Sequence, residues 1–343
     1  MLTDQSLDRV LHRIPDLTVA VLGDLFLDRY LDIDATLTEP SIETGLDAYQ
    51  VVRVRSQPGA AGTVINNLAA LGVRHVAALS VIGDDGEGYE LRQALDRLKV
   101  VDLRGVLRDP GRRTPTYTKP MLCQEDQPAR ELNRLDIKNR TPLSAAAEEF
   151  LLRALEEIWP QVDALLVLDQ TNFGVLTDRL VKRLAELGDA EPDRLILADS
   201  RERTGSFRSV WLKPNQAECQ RAVGDWPSGR ASVGACAVTL ARRTARPVFC
   251  TCGDQGIVLA DPRGGSMAPV RVPAYPVAGP IDIVGAGDST SAAIACAVAA
   301  GVRLPEAAAF GNLVASITIQ QLGTTGTATP EQIRQRWQEV RAG

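Results

Sequence analysis

The chain has 343 residues, 45% of them hydrophobic, and 38 Lys and Arg against 43 Asp and Glu give a net charge of −5. That length and apolar content support a large buried core without disulfides or structural metals. The acidic balance and scattered basic residues argue against a broad nucleic-acid surface and against an anionic membrane surface.

The first seventeen residues (MLTDQSLDRVLHRIPDL) carry acids and contain no apolar core segment, and no later run approaches the roughly 20 apolar residues of a spanning helix. A reducing cytoplasm is the expected compartment. Residues 18–23 (TVAVLG) read as the first buried strand. Residues 30–54 then lack helical period and contain alternating pieces such as YQVVRVR, which predict exposed antiparallel strands. A helix over 63–71, a strand over 75–83 and a helix over 87–98 follow, before a second alternating stretch over 114–136 that includes TPTYTKPML. Beyond it, strands over 163–168 (DALLVL), 194–198 and 248–252 intersperse with helices over 144–158, 177–187, 232–243, 286–299 and 306–321. Buried strands alternating with helices predict an α/β fold, a mainly parallel sheet covered by helices.

No linker or repeat divides the chain, so a single domain over 1–343 is expected. The segments at about 30–57 and 114–136 would form a small β lid that excludes water from a reaction centre. Six cysteines show no paired C-x-x-C spacing; Cys250 and Cys252 lie in an apolar strand and read as small core side chains.

Residues 282–301 (DIVGAGDSTSAAIACAVAAG) are the most informative stretch. A Gly285-Ala286-Gly287 turn leads directly into a helix of small residues, presenting backbone N–H groups at a helix N-terminus where an anion binds. Asp288, in the first helical turn beside that site, can take a proton from an attacking hydroxyl. An ordinary first-turn acid behind a glycine loop is the competing reading.

This stretch resembles the C-terminal signature of the PfkB, or ribokinase-like, carbohydrate kinases, and the resemblance spans nearly the whole chain. It implies a ribokinase-like three-layer fold and transfer of phosphate from ATP to a sugar hydroxyl. Gly23-Asp24-Leu25-Phe26-Leu27-Asp28 resembles the family's first strand and the acid that binds sugar hydroxyls, which places Asp24 and Asp28 at the acceptor. Pro58-Gly59-Ala60-Ala61-Gly62, followed by Thr63, resembles the glycine-rich N-terminal signature that also lines the acceptor; Ala60 and Thr63 stand where the family has a glycine and an asparagine. Asn215-Gln216-Ala217-Glu218 resembles the Asn-x-x-Glu motif, with Glu218 helping to place Mg²⁺ through water; the same spacing suits a helix cap. Thr251, Gly253 and Gly256 match the nucleotide-side turn, though the two glycines would serve any hairpin, and Asn312 falls beside the adenine. By the same resemblance, Asp282 is a candidate for a monovalent cation such as K⁺, and a homodimer would form through the lid.

Within the family, GDLFLDRY (23–30), Thr118-Lys119 with LNRLD (132–136), and LGTTGTATP (322–330) resemble the heptose-phosphate kinases. That resemblance implies the anomeric hydroxyl of a heptose 7-phosphate as acceptor, with Lys119 and Arg134 as partners of the distal phosphate. Val284 and residues 169–174 (DQTNFG) depart from the pattern, so another sugar or sugar phosphate stays open. A nucleoside kinase of the same architecture and a catalytically quiet sugar- or nucleotide-binding protein are the alternatives. A dinucleotide-dependent dehydrogenase is disfavoured, because the turn after TVAVLG lacks a Gly-x-Gly-x-x-Gly fingerprint.

Overall fold

The structure, a computed structural model, describes residues 2–124, 129–225, 228–263 and 267–342. The chain begins with helix α1 (Asp4–Arg13), strands β1 (Thr18–Gly23), β2 (Leu25–Pro40) and β3 (Asp47–Ala60), and helix α2 (Ala61–Leu71). Strand β4 (His75–Gly83), helix α3 (Gly86–Asp96) and strands β5 (Val101–Asp109), β6 (Thr116–Cys123), β7 (Arg130–Glu131) and β8 (Leu135–Ile137) follow. Next come α4 (Ala145–Ile158), β9 (Ala164–Asp169), α5 (Asp178–Ala190), β10 (Leu195–Ser200), β11 (Trp211–Leu212), α6 (Gln216–Val223) and α7 (Val233–Thr244). The last elements are β12 (Val248–Thr251), β13 (Ile257–Ala260), β14 (Val270–Val272), α8 (Ala286–Ala299), α9 (Leu304–Thr318) and α10 (Pro330–Ala342).

The larger sheet runs β14-β13-β12-β11-β10-β9-β1-β4-β5, parallel from β12 to β5 and antiparallel over β12-β13-β14. Period-2 alternation splits its side chains between two cores. Val19, Val21, Leu166 and Leu168 pack into one core with α2, α8 and α9, while Ala20, Leu22, Leu165 and Val167 pack into the other with α4, α5 and α7. The result is a helix–sheet–helix sandwich, the ribokinase-like architecture expected of the sequence. Helix α8 is buried on nearly every side because its residues are small. A Cβ on Gly311 of the adjacent α9 would stand 3.0 Å from Ile294, so glycine lets the two helices approach closely. No helix among the described residues is long and apolar enough to cross a membrane.

The second sheet has the order β3-β2-β6-β7, with β8 paired to β6. Its hairpin is longer than the alternating segment suggested, since β2 starts at Leu25 and β3 ends at Ala60. It also differs in sense: β2 and β3 are antiparallel, but β2 and β6 pair in parallel, Asp28 against Tyr117 and Tyr30 against Lys119. Parallel strands β1 and β5 end at the same edge of the main sheet, so β2 and β6, which follow them after short connections, set out in the same direction. The sheet leans on α3 through Arg29–Glu90 at 2.9 Å and Ser56–Glu90 at 2.7 Å.

Candidate active site

The C-terminal ends of β9 to β12 and the N-terminus of α8 enclose a cleft of about 1090 Å³, the position at which open α/β sheets bind ligands. Gly285 caps α8 at φ 80°, and the turn is closed by Ala286 N–H donating to Ile283 O at 3.1 Å. The N–H of Ala286 is therefore occupied within the turn and is not one of the open donors expected of it. Those of Gly287 and Asp288 donate to no protein acceptor among the described residues and remain open. Asp288 is half-buried and lines the cleft. Burial first, then the neighbouring Asp199 and Asp28 carboxylates, push it up to about 7 against the pull of Lys213 and Arg201.

Lys213 is buried beside this turn: a Cβ on Gly287 would lie 3.6 Å from its Nζ. Its ammonium pairs with buried Asp199 at 2.9 Å, and Ser291 Oγ donates to the same Asp199 oxygen at 3.3 Å. Burial alone would lower the Lys213 ammonium, but Asp199 outweighs burial and holds it above its ordinary value. Asn215 and Glu218 form a reciprocal cap on α6, Asn215 Oδ1 accepting from Glu218 N at 2.9 Å and Glu218 Oε2 from Asn215 N at 2.8 Å. That leaves Oε1 outside the cap on a residue that lines the cleft, with its carboxyl raised by burial and by Asp199. Thr251 N donates to Pro214 O at 2.9 Å, tying the β12 turn to this cap. The turn itself needs its glycines: Gly253 sits at φ 58°, and a Cβ on Gly256 would meet Val272 O at 2.1 Å.

Asp28 lies on β2, buried against Lys119 Nζ at 3.7 Å, and Lys119 also donates to Tyr30 Oη at 3.2 Å. Burial raises Asp28 despite the opposing Lys119 and Arg134. Gly59 opens the room for it, since a Cβ there would stand 2.9 Å from Asp28 Oδ2. Asp24 is placed differently from Asp28. Both of its oxygens accept backbone N–H groups, from Val175 at 2.7 Å, Gln170 at 3.0 Å and Thr171 at 3.2 Å, so it shapes the loop after β9. Burial still lifts its carboxyl to about 6. Thr63 turns its hydroxyl to Pro58 O at 3.4 Å, and Arg134 is held by Asp136 at 2.6 and 2.9 Å while stacking over Tyr117. Asp282 links its turn to the segment after α9, accepting from Val284 N at 3.0 Å and Gly323 N at 3.1 Å. No group of three His, Cys, Asp or Glu suited to a metal occurs among the described residues.

The family model for pfkB family carbohydrate kinases matches residues 19–332. The chain belongs to the pfkB family. This pfkB kinase is 31% identical over 332 residues to the bifunctional protein HldE of Trichlorobacter lovleyi, covering 96% of this chain and 64% of that one. HldE of Pelobacter propionicus is 32% identical over 332 residues, with 95% and 64% covered. The chain thus spans less than two thirds of the length of these curated relatives. Among solved structures, phosphofructokinase-2 of Escherichia coli in complex with potassium superposes with a TM-score of 0.69 at 18% identity, covering 95% of this chain and 99% of that one. Ribokinase of Thermotoga maritima gives 0.68 at 19% identity, with 94% and 99% covered. At such identities the likeness shows the fold.

Asp199, Arg201 and Lys213 are among the charged residues of this pfkB kinase's cleft that the sequence alone does not single out. A signal for Lys213 exists, a lone lysine between an apolar pair and Pro214, two residues before Asn215. Asp199 follows the apolar run LILA in its strand, where an acid is conspicuous. Neither signal reveals that the two pair.

Proposed function

We propose that this chain transfers the γ-phosphoryl group of ATP to a hydroxyl of a sugar or sugar phosphate, with Asp288 as general base. The observation that carries the reading is the grouping at one end of the cleft of a carboxylate raised to about 7, two open backbone N–H groups and the Lys213 ammonium. Asp28 holds acceptor hydroxyls close enough to Asp288 for the two carboxylates to act on each other. The acceptor oxygen attacks the γ-phosphorus, its proton passes to an Asp288 carboxylate oxygen, and the bond to the β-phosphate oxygen breaks to release ADP. The N–H groups of Gly287 and Asp288 and the Lys213 ammonium meet the charge on the moving phosphoryl group.

Mg²⁺ suits the donor set: Glu218 lines the cleft with Oε1 outside its helix cap, a carboxylate oxygen for an ion held largely by nucleotide phosphates and water. When bound, it supplies neutralisation of phosphate charge. Asp282, next to the anion turn, is the residue for a monovalent cation, a role supported by the potassium named for the Escherichia coli structure. The second sheet serves as the lid that keeps water from ATP, and its exposed Ile42, Leu46, Val52 and Val54 support a second copy as its cover. Free thiols throughout suit a reducing cytoplasm.

The HldE relatives favour a heptose 7-phosphate acceptor. Lys119 and Arg134 are the cations for its distal phosphate, which would have to compete with Asp28 and Asp136 for them. The test is Mg-ATP-dependent ADP release across heptose 7-phosphate, hexose phosphates, free sugars and nucleosides, run beside Asp288→Asn. One acceptor turned over well, and slowed by roughly 10²- to 10⁴-fold in the variant, is the expected outcome. Activity with nucleosides alone would replace the acceptor class, and activity unchanged in Asp288→Asn would remove the proposed base. Stabilisation by ligands without ADP release would point to a binding protein.

A further inference from the structure

The cleft divides by chemistry. Its charged groups gather around the α8 N-terminus, while Ala315, Ile319, Ile281, Ile283 and Val277 make the wall between α9 and the chain at 274–283 apolar. Such a wall suits the faces of a nucleobase, and Asn312 borders it, 8% exposed. Both amide protons of Asn312 are engaged: Nδ2 donates to Val272 O at 3.1 Å and to Pro273 O at 2.9 Å. Turning the amide over would set its carbonyl oxygen against those two backbone oxygens, so its orientation is fixed. Oδ1 accepts no hydrogen bond from the described residues, yet is not among their solvent-inaccessible unpaired atoms. The solvent it meets is that of the cleft, and the site there offers an acceptor of fixed sense.

The neighbouring polar groups offer no fixed alternative. Ser316 donates to Leu313 O at 2.7 Å and accepts from Arg336 Nε at 3.2 Å. Tyr275 packs edge-on against Trp337, and its hydroxyl, free to rotate, can donate or accept.

We infer that Asn312 is a specificity-determining residue for the phosphoryl donor, admitting a 6-aminopurine and rejecting a 6-oxopurine. The inference rests on the kinase reading above. An amino group donates to Oδ1; a carbonyl in its place sets two acceptors face to face, and a site with a polar group left unpaired discriminates strongly.

Calorimetric titration of the whole chain with ADP and with IDP tests it. ADP is expected to bind about 10- to 100-fold more tightly than IDP, and Asn312→Ala to bring the ratio close to one. A merely structural Asn312 would weaken both nucleotides together and leave the ratio standing, which overturns the inference. Equal binding of ADP and IDP by the unsubstituted protein overturns it as well, whether or not the variant folds. If neither nucleotide binds, the kinase reading fails with it, whereas equal binding sinks the specificity role alone.

Discussion

Ala60 caps α2 at φ 53° and ψ −118°, where an L side chain crowds its own backbone and glycine does not. It has no freedom to relax, because pairing with Leu25 fixes it on one side and the Ala61 N–H bond to Asp24 O at 3.0 Å fixes it on the other. Strain of this kind is worth about 1–3 kcal/mol. Replacing alanine with glycine relieves it and loosens the unfolded chain, an opposing effect of roughly 0.5–1 kcal/mol. Ala60→Gly is therefore expected to stabilise the protein by about 1 kcal/mol, raising Tm by about 2 °C in a chain of this size. Urea unfolding followed by circular dichroism measures this as a higher midpoint at unchanged slope. A midpoint lowered by the substitution would refute the reasoning, since glycine would then have cost entropy without relieving anything.

Lys213→Met leaves the Asp199 carboxylate buried with Ser291 as its remaining donor; the expected loss is about 3–5 kcal/mol of stability. Adding Asp199→Asn should recover most of that in urea melts, while ADP release stays down by about 10²-fold or more; full turnover in the double variant would remove Lys213 from the phosphoryl site. With Asp288 raised to about 7, kcat/KM is expected to climb with pH through neutrality and level off above it. The same shift fixes a sign for folding: the folded state holds that proton above the ordinary value of 3.8, so Asp288 lowers stability progressively as pH rises from there toward 7. Asp288→Asn should then be more stable than the unsubstituted chain at about pH 8 by roughly 1 kcal/mol or more, with the gap shrinking toward about pH 4; a gap independent of pH would contradict the raised carboxyl.

Local pattern made much of this legible. The mostly apolar TVAVLG and DALLVL runs mark interior strands, and the predicted helix over 286–299 has the bounds found for α8. What local pattern does not encode is partnership. Lys119 and Arg134 read as free cations along the chain, but each meets an acid, Asp28 across a strand pair and Asp136 two residues on. The parallel pairing of β2 with β6 depends on where β1 and β5 end in space, which their own residues do not record. Strands β11 and β14, of two and three residues, are too short to show a period. Helices α1, α6 and α10 carry enough charge that their apolar stripes do not stand out along the chain.

A single residue, Asp24, separates β1 from β2. Mechanically, that makes the second sheet a cantilever rooted at an interior strand of the main sheet. At about 3.3 Å per residue, the arm from Leu25 to Pro40 is roughly 50 Å long, with Asp28 only about 13 Å from the root. A tilt of about 10° at the root would sweep the tip through roughly 9 Å and carry Asp28 by roughly 2 Å. The far end of the sheet can swing widely over the cleft while the carboxylate nearest the reaction centre hardly leaves its place.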